Sequence, residues 1–361
     1  MESYVQNPPI GGFSKYNGLL PTSGDQWHPP IVKLSRTHEL FQFHQGFIKL
    51  ESCNPTGSIK DKNAAYLINL AEKRGELPPG GTIVESSSGN FGIALAAVGA
   101  ARGYRVVIVV DAKTSPTMKR MLKAYGAQLE EVPLSCSDAN GSMQKARMAH
   151  AKSLAQRTPG AYYPCQHLNP DNPGAHYETG AEILAGLGHP PDAVVVGVST
   201  CGQLAGIAKY LRLKAPATKI IAVDVVGSVV LGTPGGSYKM TGLGLSFVPP
   251  NFRKEWLDVG YTISDRLAFS MCHLMARRDG LLLGGATGAI VAAALAYLST
   301  CCGKQRVLML NPDGGDRYLE TIYNPVWLKE QGLNLWGYSQ VQDAIRGVEP
   351  VIVGHEERVV G

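Results

Sequence analysis

The stretch TIVESSSGNFGIALAAVGAARGYRVVIVVD at 82–111 contains a complete strand–helix–strand unit. The pattern predicts a strand with a turn at 82–88, a helix at 91–103 that ends on a glycine, and a strand at 105–111. The second strand carries apolar residues on both faces, which is typical of a parallel sheet covered by helices on each side. The unit therefore predicts an α/β fold.

The same alternation continues in both directions along the chain. It also predicts a helix at 115–127, with Ser115 as N-cap and Pro116 at the first helical position. The remaining predicted strands are 46–52, 128–133, 193–199, 219–226 and 305–313, and the remaining helices are 63–75, 141–156, 202–215, 265–280 and 288–300. The stretch YPCQHLNPDNPGAHYETG at 163–180 breaks this rhythm with prolines and asparagines, and indicates a crossover between two domains.

We therefore expect an α/β protein with two three-layer αβα domains, mainly parallel sheets and a cleft between the domains. Residues 1–45 are expected to form an N-terminal arm and a strand that packs on the larger domain. Residues 46–170 are predicted to form a smaller substrate-binding domain, and 171–361 a larger domain that binds the phosphate of a cofactor. Ligands of such folds bind at the carboxyl ends of the strands.

Composition narrows the class of protein. The chain has 361 residues, a net charge of +5 and no basic run with interleaved aromatics, so nucleic-acid binding is not expected. Seven cysteines without a C-x-x-C pair argue against a disulfide framework or a zinc site, and predict reduced thiols in a cytoplasmic protein without a bound metal. No signal peptide or membrane span is predicted.

Three loops rich in glycine and serine follow predicted strands, at 85–92, 197–206 and 311–318. A short loop between a buried strand and a helix N-terminus leaves backbone N–H groups unpaired, and these groups and the helix dipole suit an anion. The second loop, GVSTCGQLAG, has the character of a phosphate cradle. An ordinary strand–helix turn is the competing interpretation.

Lys60, in NPTGSIKDK (54–62), lies at the predicted start of an apolar helix. A buried ammonium is costly. It can reach water, pair with Asp61, or serve as a lysine of lowered pKa that forms a Schiff base with an aldehyde. Lys62 is expected to be an ordinary surface lysine. Together with a phosphate cradle, Lys60 predicts pyridoxal 5'-phosphate, a phosphorylated aldehyde.

The motifs come in the order that the fold-type II pyridoxal-phosphate enzymes show, the tryptophan synthase β and cysteine synthase superfamily, and the chain resembles that family over roughly 30–330. The motifs are NPTGSIKDK (54–62), ESSSGNFGIALA (85–96), GVSTCGQLAG (197–206), GLG (242–244), GGATGA (284–289) and GDRYL (315–319).

The resemblance implies a role for each matching residue. Lys60 would be the Schiff-base lysine and general base, and Asn90 would bond the 3'-hydroxyl of the cofactor. Where the family has Ser, Thr or Cys against the pyridine nitrogen, this chain reads Pro312-Asp313, so the partner of the nitrogen is open, with Asp313 as candidate. The phosphate would be held by Gly197, Ser199, Thr200, Cys201 and Gly202. The substrate would be held by Ser87, Ser88, Asn90, Phe91, Gln166 and Gly242.

The implied reaction is β-replacement on an activated L-serine, such as O-phospho-L-serine or O-acetyl-L-serine, through an aminoacrylate. The chain resembles most the branch of the family that joins L-glutamate to O-phospho-L-serine and makes a precursor of 2,3-diaminopropionate. Lys113, Lys239 and Arg253 are candidates for binding the carboxylates of the acceptor, or are solvated surface charges. An arginine of that branch is replaced here by Phe247.

Other functions stay open. Cysteine synthase, with sulfide as nucleophile, and serine or threonine dehydratase share the same fold. The alternative from a different functional class is a catalytically silent protein that binds a partner in its cleft. The resemblance also implies a homodimer.

Overall fold

The computed structural model describes residues 28–137 and 141–353. The predicted arm therefore lies largely outside the described residues. Within these ranges, eleven strands form two sheets, a seven-stranded sheet in the order β1-β2-β10-β7-β8-β9-β11 and a four-stranded sheet in the order β5-β4-β3-β6. The strands are β1 (Ile31–Leu34), β2 (Gln45–Leu50), β3 (Thr82–Ser86), β4 (Arg105–Asp111), β5 (Gln128–Val132), β6 (Ala161–Tyr162), β7 (Ala193–Gly197), β8 (Lys219–Val225), β9 (Val259–Ile263), β10 (Arg306–Asn311) and β11 (Pro350–Val353).

Helices connect and cover the strands. They are α1 (Leu40–Phe43), α2 (Lys60–Arg74), α3 (Asn90–Arg102), α4 (Pro116–Ala124), α5 (Gln144–Arg157), α6 (Tyr177–Leu187), α7 (Gly202–Lys214), α8 (Asp265–Arg278), α9 (Gly285–Ser299), α10 (Pro325–Glu330) and α11 (Tyr338–Arg346). Among the described residues, no helix is both long and apolar enough to cross a bilayer.

Both sheets are mainly parallel. In the larger sheet only β1 on β2 and β11 on β9 pair in the antiparallel sense, and the smaller sheet is parallel throughout. Because parallel strands place their carboxyl ends at one edge, each sheet presents all the loops that follow its parallel strands on one side.

Alternate residues of each strand supply the two faces of a sheet. In the larger sheet Val194 and Val196 pack in one apolar cluster with residues of α6 and α7, and Val195 packs in another with residues of α8 and α9. In the smaller sheet Ile83 faces residues of α2, α3 and α4, whereas Val84 faces residues of α5. Both sheets are therefore covered on both sides, which confirms the predicted three-layer αβα arrangement.

Local sequence signals account for many helix ends. The Ser115 hydroxyl accepts a hydrogen bond from the backbone N–H of Met118 at 3.2 Å, as expected of the predicted N-cap. The helix α3 ends at Gly103, whose φ of 74° is a left-handed conformation that glycine adopts easily. The strand predicted at 105–111 has the same first and last residues as β4.

Two features differ from the sequence-based expectation. The helix α6 begins at Tyr177, inside the stretch 163–180 whose prolines and asparagines suggested irregular structure. All but the first residue of strand β2 falls within the range 46–170 assigned to the smaller domain, yet β2 pairs with β1 and β10 in the larger sheet. Strand pairing between distant segments is a tertiary property that local pattern does not encode.

The prediction that Lys62 is a surface lysine is wrong. Its side chain is 12% exposed, and its Nζ lies 3.1 Å from Glu51 and 2.6 Å from Glu182. Lys49 binds the same two carboxylates at 3.2 Å and 2.8 Å. Burial acts to lower the pKa of Lys62, but the charges of Glu51 and Glu182 outweigh it and raise that pKa. Two lysines and two glutamates therefore form a balanced buried cluster between β2, α2 and α6.

We expect Lys62→Met to lower the free energy of unfolding by about 3 kcal/mol, because it leaves two buried carboxylates to share one ammonium. Urea denaturation of the two proteins measures the change. Lys73→Met, at an exposed position of the same helix, is the matched control and should shift stability by no more than about 0.5 kcal/mol. Equal effects of the two substitutions would contradict the importance of this cluster.

Candidate active site

The segment that carries Lys60 is fixed against the end of β10. The backbone N–H of Ile59 donates to the Pro312 carbonyl at 2.9 Å, and the N–H of Gly314 donates to the Gly57 carbonyl at 3.3 Å. Ser58 and Asp313 form an isolated antiparallel bridge between these bonds. Lys60 follows as the first residue of α2, so its position is set by the larger sheet.

The amine of Lys60 is in an unfavourable place for a positive charge. Burial lowers its pKa to about 8, although the nearby Asp313 and Cys201 act to raise it. A helix N-terminus also disfavours a cation. Asp61 does not relieve it, because its carboxylate accepts hydrogen bonds from the backbone N–H and the hydroxyl of Thr56. With a pKa of about 8, roughly a tenth of the amine is neutral at pH 7, and the neutral form is the one that a Schiff-base lysine requires.

The loop between β7 and α7 forms the opposite part of the site. Cys201 adopts a left-handed conformation with φ of 61°, which is uncommon for a residue other than glycine. The only other such residue among those described is Cys165, directly before Gln166. The N-terminus of α7 starts at Gly202 and supplies backbone N–H groups without helical partners, which is the arrangement that binds phosphate.

A cleft of about 370 Å³ joins Lys60 to this loop. It brings together most of the predicted cofactor ligands and two of the predicted substrate residues, Asn90 and Gly242. Its lining residues are Ile59, Lys60, Asn90, Ser199, Thr200, Cys201, Gln203, Gly242, Pro312 and Asp313. The other predicted residues are outside this lining: Gly197 and Gly202 flank the loop, and Ser87, Ser88, Phe91 and Gln166 lie in or beside the smaller sheet.

Asp313 is buried and held by several neighbours. Asn90 donates to its Oδ2 at 2.7 Å, and the Tyr318 hydroxyl donates to the same oxygen. Its Oδ1 has no hydrogen-bond partner, and burial raises the pKa of this carboxyl. A Cβ at Gly284 would lie 1.9 Å from that Oδ1, so only glycine fits there. The Oδ1 is thus a buried acceptor with unmet hydrogen-bonding capacity at the wall of the cleft.

Asn90 and Arg317 join the two sheets at the cleft. Arg317 donates to Asn90 Oδ1, and its Nη2 donates to the Thr56 carbonyl at 2.7 Å. Because Asn90 also bonds Asp313, its amide has one hydrogen left for a ligand. The sequence motif GDRYL placed Arg317 near the site, but the bond that orients Asn90 spans 227 residues of chain and has no local signal.

The predicted substrate loop starts α3. The Ser87 hydroxyl accepts a hydrogen bond from the N–H of Gly92 at 2.9 Å, and Ser88 is partly exposed beside it. Phe91 is 2% exposed and packs in the core, so only its backbone is free to serve a ligand.

Glu85 supports the neighbouring segment. It accepts from the backbone N–H of Gln166 at 3.3 Å, and burial raises the pKa of Glu85 to about 8. Sequence reasoning missed Glu85, although it directly precedes the serine run.

The predicted acceptor cations do not form one group. Lys113, Lys239 and Arg253 are all exposed, and the Nζ of Lys113 bonds the Gly141 carbonyl. Near the cleft, the ring of Phe247 lies 6.2 Å from that of His167, centroid to centroid. His167 is 8% exposed with an unpartnered Nδ1, and burial lowers its pKa to about 3, so the ring is neutral. Sequence reasoning did not single out His167.

Comparison with known proteins shows the family of the chain. A family described as "Pyridoxal-phosphate dependent enzyme" matches residues 23–313. The chain belongs to this family of pyridoxal-phosphate dependent enzymes, and pyridoxal 5'-phosphate is its cofactor.

Individual relatives are similar over most of their length. Two are named N-(2-amino-2-carboxyethyl)-L-glutamate synthase, from Ralstonia nicotianae and Cupriavidus metallidurans. The first is 38% identical over 83% of this chain and 88% of its own. The second is 38% identical over 86% and 91%. The solved O-acetylserine dependent cystathionine beta-synthase of Helicobacter pylori is 34% identical, with a TM-score of 0.76, and covers 82% of this chain and 96% of its own. The fold is therefore that of the fold-type II enzymes.

The residues of the cleft fit the cofactor on chemical grounds. An aldehyde needs an amine that is partly neutral, and Lys60 provides one. A phosphate needs converging N–H and O–H donors, and the loop before α7 provides them. A protonated ring nitrogen needs an acceptor, and Asp313 Oδ1 is a buried acceptor without a partner.

We expect Lys60→Met to stabilise the cofactor-free protein below pH 8 by up to about 3 kcal/mol, because it removes a buried cation. The pKa of Lys60 in the folded state is about 8, below the ordinary 10.5. Between these two pH values the unfolded wild type therefore binds more protons than the folded wild type. The stability of the wild type relative to the variant therefore rises as pH increases from 8 to 10.5. Urea denaturation of both proteins at intervals across this range measures the difference, and a difference that stays constant with pH would contradict the lowered pKa.

Proposed function

We propose that the protein catalyses β-replacement on an O-activated L-serine, O-phospho-L-serine or O-acetyl-L-serine, with the amine of L-glutamate as nucleophile. The product would be N-(2-amino-2-carboxyethyl)-L-glutamate, a precursor of 2,3-diaminopropionate. The observation that carries the proposal is the amine of Lys60, of lowered pKa, in one cleft with the anion-binding loop. The names of the two relatives at 38% identity support the choice of acceptor.

Pyridoxal 5'-phosphate supplies an electron sink that stabilises negative charge at the α-carbon of a bound amino acid. Lys60 would be the residue that holds the aldehyde carbon, and its amine would take the proton from the α-carbon of the bound substrate and later return it. The leaving group would depart from the β-carbon with its bonding electrons. The neutral amine of the acceptor would bond to that carbon and lose one proton to the departed phosphate or acetate.

The proposed cofactor ligands surround this amine. Gly197, Ser199, Thr200, Cys201 and Gly202 would hold the phosphate, mainly through backbone N–H groups and the hydroxyls. The last amide hydrogen of Asn90 would bond the 3'-hydroxyl, and Asp313 Oδ1 would accept from the ring nitrogen. A carboxylate there would keep the nitrogen protonated and strengthen the electron sink.

The α-carboxylate of the serine derivative would be bound at the start of α3. The donors are the hydroxyls of Ser87 and Ser88, the backbone N–H groups of Asn90 and Phe91 and the amide of Gln166, with Gly242 on the facing loop. The helix dipole of α3 favours a carboxylate at that end.

The acceptor would approach beside His167 and Phe247. His167 follows Gln166 directly, and Phe247 follows the loop that contains Gly242. Their contact therefore joins the two segments proposed to surround the first substrate. Lys113, Lys239 and Arg253 stay candidates for the carboxylates of the acceptor or surface charges.

The residue that forms the Schiff base is testable directly. Borohydride reduction of the protein with its cofactor, followed by peptide mapping, should place the label on Lys60. In Lys60→Ala both the label and the turnover should be lost, with activity falling by about 10²-fold or more. A label on any other lysine would contradict the proposed mechanism.

The acceptor is decided by product analysis. With either activated serine, mass spectrometry should detect the glutamate adduct when L-glutamate is supplied. Cysteine formed from sulfide with no glutamate adduct would indicate a cysteine synthase. Ammonia and a keto acid formed without an acceptor would indicate a dehydratase.

Gln166→Ala should raise the KM for the activated serine by about tenfold, because one charge-assisted hydrogen bond to the carboxylate is lost. The affinity for the cofactor should not change. Steady-state kinetics with each substrate varied in turn measures both KM values. Gln128→Ala, at an exposed position of β5, is the control with no expected effect, and a normal KM in the Gln166 variant would remove that residue from the proposed site.

The homodimer belongs to this proposal through the resemblance, the cytoplasmic location through the reduced cysteines, and the domain boundaries at 45 and 170 through the pattern of strands and helices along the chain. Sedimentation of the purified protein would test the homodimer.

A further inference from the structure

Asn172 is buried between the two proposed binding segments. Its Nδ2 donates to the Gln166 carbonyl at 2.7 Å and to the Thr200 hydroxyl at 3.2 Å. Its side chain is packed directly against Gly202, where an added Cβ would lie 2.6 Å from its Cγ. One amide therefore contacts the start of the phosphate loop, the start of α7 and the substrate segment together.

The direction of each hydrogen bond follows from that contact. A backbone carbonyl can only accept, so the Nδ2 of Asn172 faces Gln166 and its Oδ1 faces away. That Oδ1 accepts from Asn63 Nδ2, which leaves Asn63 Oδ1 toward His176. His176 Nε2 lies 2.9 Å from this oxygen and must carry a hydrogen to bond it.

The other ring nitrogen of His176 is fixed by Lys62. An ammonium can only donate, and Lys62 Nζ lies 3.4 Å from the Thr179 hydroxyl oxygen, which accepts. That hydroxyl then donates its proton to His176 Nδ1, which lies 3.4 Å from the Thr179 oxygen. Burial and the charges of Lys60 and Lys62 hold the pKa of His176 well below its usual value, in agreement with a neutral ring.

We propose that these side chains form a one-way hydrogen-bond relay that aims the hydroxyl proton of Thr200 at the cofactor phosphate. Because Thr200 accepts from Asn172, its single proton is left for another partner, and Thr200 lines the cleft. Asn172 and His176 are then positioning residues that do not touch the cofactor. The inference rests on the role proposed above for Thr200. The relay consists, in order of donation, of Lys62, Thr179, His176, Asn63, Asn172 and Thr200.

Burial explains why the relay can hold this orientation. Asn172, His176 and Thr179 are 0% exposed and Asn63 is 1% exposed, so water does not compete for their hydrogen bonds. If one side chain of the relay were turned round, it would place a donor against a donor or an acceptor against an acceptor. This is unfavourable because a buried polar group without a hydrogen-bond partner is costly. Lys62 and the Gln166 carbonyl cannot reverse, so they fix both ends.

A double-mutant cycle on cofactor binding tests the relay. Titration of the cofactor-free protein with pyridoxal 5'-phosphate should give a Kd about tenfold higher in Asn172→Ala than in the wild type. Thr200→Val should also raise it. In the Thr200→Val background, Asn172→Ala should change the Kd by less than about twofold, because the endpoint of the relay is already gone.

Pyridoxal, which lacks the phosphate, is the control ligand for this experiment. Its Kd should not respond to Asn172→Ala, because the relay acts only on the phosphate contact. A loss that is equal in both Thr200 backgrounds, or equal for both ligands, would overturn the relay and leave Thr200 as a phosphate ligand. No effect of Thr200→Val would overturn the relay and the proposed role of Thr200 together, while labelling of Lys60 tests the mechanism separately.

The tautomer of His176 gives a test that needs no disruptive variant. Nitrogen-15 NMR of ring-labelled wild type at neutral pH should show a hydrogen on Nε2 and none on Nδ1. A hydrogen on Nδ1 would overturn the relay.

Variants of His176 add a rescue experiment. His176→Gln can donate and accept in the same order and should keep the Kd for pyridoxal 5'-phosphate within about twofold of wild type, whereas His176→Leu should raise it about tenfold. Equal Kd values in the two variants would contradict the assigned direction.

Discussion

The site depends on the backbone contact between residues 57–59 and 312–314. Two hydrogen bonds and one bridge attach the segment before α2 to the residues after β10. This contact fixes the position of Lys60 relative to β10. The amine of Lys60 is thereby held at the carboxyl edge of the larger sheet, where the loop after β7 also begins. The chemistry of the cleft therefore follows from a pairing of two segments about 250 residues apart in the chain.

The two helix N-termini at the cleft act in opposite ways. The start of α7 presents N–H groups that favour an anion, and the start of α2 carries a lysine whose charge the dipole opposes. Both effects suit a ligand with a phosphate at one end and an aldehyde at the other. Asp313 lines the same cleft and acts to raise the pKa of Lys60, against the larger effect of burial. The pKa of Lys60 therefore stays near 8, so both the charged and the neutral form of its amine are present near neutral pH.

Buried polar groups behind the cleft have a second role. The cluster of Lys49, Glu51, Lys62 and Glu182 compensates its charges internally, and Lys62 also begins the relay toward Thr200. Such groups contribute little net stability compared with apolar packing, but they impose one orientation on their neighbours. In this protein they connect α2, the helix that begins with Lys60, to the loop that would bind the phosphate.

The sequence by itself determined the alternation of strands and helices and the chain positions of the loops, and it singled out Lys60 as a candidate. These properties are local, because a strand, an N-cap or a glycine-rich turn is set by residues that are close in sequence. Only the tertiary structure decided that β2 joins the larger sheet, that Lys62 is buried, and that Arg317 and Asp313 orient Asn90. Each of these depends on burial or on contacts between segments distant in the chain, and hydrophobic periodicity carries no information about which distant partners will meet.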